Sequence, residues 1–288
     1  MIRPATLCRA LTVCGLLVTS IAPGQDVLKR RREKIQIDWA EHETKNYRIQ
    51  HEKVIPSATV ERIGRELEDI LEQYVRLFRT KPESRFEVEF LDSLNTYEQS
   101  GGDPSHPGMY HPGDRVLLLR QMPFSDLVPT VYHEAFHQYI HLYVGDGVEI
   151  PIWFNEGMAM HFEGMQRDKR RKDQRLDPQQ IDFRKARMVK DAIFTRAHIP
   201  LATLVDATYE QFHDKDKEAL YYHQSFSVVY FLMKASGGRL PVKFMDTLRD
   251  TKDLEAANAV LFGKERKNLE KIEAQWKTFL AGLKIPDA

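Results

Sequence analysis

The amino-acid sequence predicts an α+β fold, with a small mixed sheet in the first half of the chain and a mainly α-helical second half. Three observations carry that expectation. Two short runs alternate apolar and polar residues, one around Tyr47, Ile49 and His51 and one around Phe86, Val88 and Phe90, which is the period of a half-buried strand. The long run between them repeats its apolar residues at helical spacing. From about residue 126 onward nearly every apolar segment keeps that helical period. A chain of 288 residues with 42% hydrophobic content is long enough to bury one substantial core.

The elements follow in order. Residues 25–45 are polar and include Lys29, Arg30, Arg31 and Arg32, so they read as a solvated linker. A strand is expected over 46–55. Ser57 is placed to cap a helix over 57–78 that carries Ile63, Leu67, Ile70, Leu71, Tyr74, Leu77 and Phe78 on one face. A second strand covers 85–91. Residues 101–113 are rich in glycine and proline and read as a loop. A short apolar strand covers 116–119. Helices are then expected at about 126–144, 152–164, 182–196, 218–235, 242–249 and 265–283. The stretch 166–180 is strongly charged and reads as a solvated loop. No internal repeat is visible.

The first residues have a different character. Arg3 and Arg9 make a basic start, the run from Ala10 to Ala22 is almost wholly apolar, and Ala22 and Gly24 are small. This is the pattern of a secretory signal peptide over 1–24, with cleavage before Gln25. The run is short for a bilayer span, so the processed chain is expected to have no stable membrane segment. Cys8 and Cys14 both fall in it, which leaves the processed chain without a disulfide or a thiol nucleophile. The expected destination is outside the cytoplasm: periplasm, cell envelope or medium. Lys+Arg and Asp+Glu both number 42, which gives no electrostatic case for nucleic acid. Loss of Arg3 and Arg9 leaves 40 basic residues against 42 acidic ones. The expected organisation is signal peptide 1–24, linker 25–45 and one domain over 46–288.

The chemistry is concentrated near the join of the two halves. His133, Glu134, Ala135, Phe136 and His137 fit H-E-x-x-H. Two His at i and i+4 project from one helical face, so both imidazoles can reach one ion. Zinc accepts neutral imidazole nitrogens and keeps an open position for water at catalytic sites. The intervening Glu can take a proton from that water and pass it to a leaving amine. The motif alone is short enough to arise by chance as a His pair on a solvated helix. A further carboxylate strengthens it. Glu156 lies in Asn155-Glu156-Gly157-Met158-Ala159, after a turn containing Gly145, Gly147 and Pro151, and two antiparallel helices can bring it beside the two His.

H-E-x-x-H followed after eighteen intervening residues by the Glu of an N-E-G-x-A helix resembles the gluzincin metallopeptidases, the peptidase MA-like proteins, at the aminopeptidase N-like spacing. In layout the resemblance runs from Tyr47 to Phe279. It implies a zincin-like catalytic domain with one zinc ion per chain and a peptide or protein substrate. His133, His137 and Glu156 would be the ligands and Glu134 the general base. It also implies a Tyr on a later helix that stabilises the oxyanion. Tyr222 falls there, with Tyr221 and His223 as alternatives. The strand at 116–119 would be the edge strand that pairs with substrate above the site. One departure stands out. Aminopeptidases of this spacing carry G-x-M-E-N near that strand, and this chain has Gly108, Met109, Tyr110 and His111 there. The resemblance therefore leaves endopeptidase and aminopeptidase open.

Other residues have weaker claims. His141 continues the His face at i+8 and offers a second-choice three-His site. Glu163 lies two turns beyond Glu156, where it can orient a ligand imidazole. Asn155 reads as a helix-start residue. His106, His111, His161 and His213 have no ligand spacing and read as structural. The contrasting reading is a non-catalytic metal-binding or substrate-binding envelope protein. Such a protein has no chemical need for Glu134.

Overall fold

Alternating burial along residues 47–52 gives β2 (Tyr47–Glu52), with Tyr47, Ile49 and His51 inward. The helical run gives α1 (Ser57–Phe78), which buries Ile63, Leu67, Ile70, Leu71, Tyr74 and Phe78. Each such side chain taken out of water contributes roughly 1.5–3 kcal/mol. The structure is a computed structural model. It describes residues 37–168, 172, 175–177, 183–265 and 267–285. The segment read as a signal peptide and the first part of the linker lie outside the described residues.

The sheet has the order β1-β2-β3-β5-β4. Its other strands are β1 (Trp39–Glu43), β3 (Phe86–Leu91), β4 (Gly108–His111) and β5 (Val116–Arg120). β2, β3 and β5 run parallel, and β1 and β4 flank them antiparallel. Three expectations need correction here. The linker reading fails at Trp39–Glu43, because a polar strand can still pair on one edge of a sheet. The loop reading fails at Gly108–His111, where four residues of a glycine-rich stretch pair with β5. The edge strand is therefore β4, and the 116–119 segment is internal, between β3 and β4. That position explains its unbroken apolar run, Val116 to Leu119, buried on both faces.

The helical half comprises α3 (Phe124–Val144), α4 (Ile152–Glu163), α5 (Arg184–Phe194), α6 (Leu201–Val205), α7 (Tyr209–Phe212), α8 (Glu218–Ser236), α9 (Arg239–Thr251), α10 (Leu254–Phe262) and α11 (Lys267–Gly282), with a short α2 (Leu94–Gln99) between β3 and β4. The 166–180 stretch contains a small pair, β6 (Gln166–Arg167) with β7 (Leu176–Asp177), rather than loop alone. The cap of α1 is Pro56, and Ser57 is the first helical residue with no side-chain cap bond. α3 begins at Phe124, two residues before the expected start, so Pro129 is inside it and gives no N–H to the preceding turn.

One core joins sheet and helices. It includes Tyr74, Phe90, Leu117, Phe136, Trp153, Phe162 and Val229. α4 lies between α3 and α8. A Cβ on Gly157 would meet the Ser225 carbonyl oxygen at 2.7 Å and Val229 Cγ2 at 2.7 Å, so glycine is what lets α4 and α8 approach this closely.

Candidate metal centre

α3 is held in rotation by its buried face. Val131, Tyr132, Ala135, Phe136, Tyr139, Ile140 and Tyr143 are buried. Phe136 stacks on Phe162 of α4 at 5.2 Å, and the Tyr74 hydroxyl of α1 donates to the Tyr132 carbonyl at 2.5 Å. His133, Glu134 and His137 are left at the margin of that face, partly buried. Gly145 and Gly147, both at positive φ, turn the chain into α4. The return brings Glu156 opposite the two His.

The three side chains converge. His133 Nε2 is 3.2 Å from Glu156 Oε2, and His137 Nε2 is 3.5 Å from Glu156 Oε1. The ring centroids of the two His are 4.9 Å apart. Among the described residues, His133, His137 and Glu156 form the one group of three or more His, Cys, Asp or Glu whose ligand atoms lie mutually within 4.8 Å. Tetrahedral zinc, with bonds of about 2.0–2.2 Å, sets its ligand atoms roughly 3.3–3.5 Å apart. The spacing here fits that requirement, and so does the donor set.

The opposite ring nitrogens are also engaged. His133 Nδ1 meets Glu163 Oε2 at 3.1 Å, and His137 Nδ1 meets Asn155 Oδ1 at 3.1 Å. Each imidazole is thus oriented with Nε2 toward the common point. Lys185 of α5 holds the other oxygen of Glu163 at 2.7 Å. Burial disfavours a charged His133, yet its hydrogen bonds to Glu156 and Glu163 and the field of Glu134 push it up to about 10. The same opposition between burial and the Glu156 charge raises His137. Glu156 is buried and still held well below the usual carboxylate range, by His137 and His133.

Glu134 lies beside the three. Its Oε2 accepts the backbone N–H of Tyr110, on edge strand β4, at 3.0 Å. Gly108 of the same strand sits against α3. A Cβ there would come within 2.6 Å of Thr130 Cγ2 and 3.3 Å of Glu134 Cγ. The edge strand therefore runs directly along the H-E-x-x-H helix. On α8, burial raises the Tyr222 phenol, with the charges of Glu156, Glu218 and Glu134 adding to it. The charge that raises Tyr221 is instead Asp214. Tyr222 packs edge-on against Phe212 at 4.9 Å. A cavity of about 670 Å³ lies between Glu163, Lys185 and the first turns of α3, and none of His133, Glu134, His137 and Glu156 lines it.

Several weaker expectations are decided by position. His141 is not in the cluster, because its Nδ1 meets the Tyr110 hydroxyl and its Nε2 faces Asp146. His223 lies on α8 with Nδ1 beside Met188 Sδ. His161 is buried against Phe162 and Tyr230, and His213 pairs with Glu218. Asn155 contacts a ligand-side imidazole rather than capping its helix. Its place one residue before Glu156 was the available signal. Nothing in the sequence marks Lys185, whose partner is 22 residues away. Tyr110 was hidden by the loop reading.

Residues 128–282 match the family model described as Peptidase MA superfamily. No curated protein matches the chain. Among solved structures, an aminopeptidase N family protein from Idiomarina loihiensis is similar, with a TM-score of 0.46 and 15% identity. The alignment covers 78% of this chain and 43% of that one, so this chain spans less than half the length of that protein.

Proposed function

The chain belongs to the Peptidase MA superfamily, and from that membership we propose that it is a zinc-dependent peptidase that hydrolyses peptide bonds. His133, His137 and Glu156 are the proposed ligands of one zinc ion per chain. The observation that carries the reading is the convergence of two Nε2 atoms on one carboxylate, at 3.2 and 3.5 Å, with both Nδ1 atoms separately held. A bound zinc ion supplies Lewis acidity to a water molecule and to the scissile carbonyl.

The chain's own residues do the rest. Glu134 takes the proton of the attacking water and passes it to the departing amine nitrogen as the C–N bond breaks. The Tyr110 N–H fixes one oxygen of Glu134, so the other is left for the water. Tyr222, kept protonated by burial and nearby carboxylates, donates its O–H to the carbonyl oxygen as negative charge builds there. Gly108 and Tyr110 turn their backbone groups away from β5, so β4 offers an edge to an extended substrate. The substrate is a peptide or protein. Among the described residues no helix is long and apolar enough to cross a membrane. Export through a signal peptide over 1–24 and one catalytic domain, extended from 46–288 to take in β1 (Trp39–Glu43), complete the proposal.

Metal analysis of the purified chain tests it first. About one zinc per chain is expected, lost in His137→Ala and in Glu156→Ala. Cleavage of a peptide library by the zinc-loaded protein tests the activity and reads endopeptidase against aminopeptidase. Zinc retained with no cleavage of any peptide would favour the metal-binding envelope protein.

A further inference from the structure

We infer that His141 is a positioning residue for Glu134, acting through Tyr110 on the edge strand; the inference rests on the peptidase reading above. β4 is four residues long and paired on one side only. Its distance from α3 is therefore not set by the sheet alone. Tyr110 touches α3 twice. Its N–H meets Glu134 Oε2 at 3.0 Å, and its hydroxyl meets His141 Nδ1 at 2.6 Å. Residues 134 and 141 are two helical turns apart on α3, about 10 Å along its axis. One side chain and one backbone amide of the same residue thus brace the strand along the helix.

The brace continues beyond His141. Its Nε2 is 3.4 Å from Asp146 Oδ1, and Asp146 Oδ2 is 2.5 Å from Arg115 in the β4–β5 turn. These partners assign the tautomer. Nε2–H faces the carboxylate, so Nδ1 accepts the Tyr110 O–H. Gln138, on the same helix, donates to the carbonyls of Glu87 and Arg115 at 2.9 and 3.1 Å. Gln138 anchors β3 and the turn, whereas His141 holds the Tyr110 hydroxyl. Loss of the His141 bond lets Tyr110 drift, and its N–H then no longer selects the rotamer of the base. Misplacement of a catalytic group acts on turnover more than on binding.

Two substitutions of one residue separate the two ring contacts. In His141→Asn the amide falls near the Nδ1 position and can still accept from Tyr110. In His141→Gln the amide reaches the Nε2 position and keeps only Asp146. Tyr110→Phe cuts the same bond from the other side. Each zinc-loaded protein is assayed on a peptide cleaved by the wild type, with zinc content and amide hydrogen exchange over Gly108–His111 measured in parallel. His141→Gln and Tyr110→Phe are expected to lower kcat about tenfold with KM within about twofold. Zinc stays at one per chain, and exchange at Tyr110 speeds up. His141→Asn recovers most of the turnover and the protection. Equal kcat and exchange in His141→Asn and His141→Gln, or unchanged kcat in Tyr110→Phe, overturns the inference and leaves the peptidase reading standing. A wild type that binds zinc and cleaves nothing overturns the peptidase reading. The exchange comparison needs no substrate and still sinks the brace if Tyr110 protection is the same in all four proteins.

Discussion

Zinc uptake by the metal-free protein should release protons and tighten steeply with pH. Without a metal, His133 lies between Glu156 at 3.2 Å and Glu163 at 3.1 Å. Burial opposes its charge, but these two carboxylates and Glu134 push its pKa up to about 10, against an ordinary value of 6.5. His133 is therefore protonated at neutral pH, and coordination through Nε2 has to displace that proton. While the pH is below about 10, each unit of increase should tighten zinc binding about tenfold, or ~1.4 kcal/mol. From pH 6.5 to 8.5 the apparent Kd should fall about a hundredfold. His137 is raised as well by Glu156, so at least one proton per zinc is released.

The stability of the metal-free protein moves the other way. A raised imidazole pKa means that the charged His133 stabilises the fold. That contribution is complete below about pH 6.5 and is lost as the pH rises through about 10. The thermal shift produced by zinc should therefore widen from pH 6.5 to 8.5. Competition against a chromophoric chelator, corrected for the chelator's own protonation, measures the affinity. Calorimetry in two buffers of different ionisation enthalpy counts the protons. An affinity constant within threefold across that range, with no proton released, would refute the argument. It would mean that His133 is neutral in the metal-free protein, and that the two carboxylates do not act on it as their distances require.

Four further outcomes are expected. Glu134→Gln should keep one zinc per chain and the wild-type melting temperature while hydrolysis falls by roughly 10²–10⁴; unchanged turnover removes Glu134 from the mechanism. Tyr222→Phe should lower kcat with little change in KM, and Tyr221→Phe should leave both near wild type; steady-state kinetics giving the reverse would move the assignment. Glu163→Ala should weaken zinc about 10–100-fold, since His133 loses its Nδ1 partner and Lys185 its carboxylate; an unchanged chelator competition curve would show that the His133 ring is held without Glu163. Gly157→Ala should cost about 1–3 kcal/mol, because its Cβ would lie 2.7 Å from the Ser225 carbonyl oxygen on α8; a melting temperature equal to wild type would mean that α4 and α8 separate freely.

Much of this arrangement is legible in the sequence, and the boundary has physical causes. The strands at Tyr47 and Phe86 and the helix over Ser57–Phe78 each have one buried face, and one buried face leaves a period in the sequence. The three converging side chains were legible because two lie on one helical face and the third on the next helix. β4 was not, since Gly108 is required by contact with Thr130 and Glu134 and looks the same as a turn glycine. The edge was misassigned for a related reason: Val116 to Leu119 is apolar because it is internal. β1 escaped because its pattern, Trp39 to Glu43, is half-exposed and polar. Lys185 and the Tyr110–His141 contact join residues 22 and 31 positions apart. Their meeting is set by the packing of whole elements, which local pattern does not encode.

The arrangement is hard to explain as a stabilising ion-pair network. Buried pairs lose roughly as much in desolvation as they gain in attraction, and well-packed apolar residues often serve stability as well or better. A network built for stability would need one imidazole per carboxylate. Here two imidazoles aim Nε2 at one carboxylate, each only 13–16% exposed, and their Nδ1 atoms are occupied by Glu163 and Asn155. In the metal-free protein that geometry brings two rings of the same sign together whenever both are protonated. With a divalent cation at the centre and both rings neutral, its two positive charges face the carboxylates of Glu156 and Glu134, while Lys185 balances Glu163. The charges of the cluster then cancel, and every nitrogen has a partner of the correct kind. A bound divalent cation, rather than the ion pairs, would make this set of side chains electrostatically consistent.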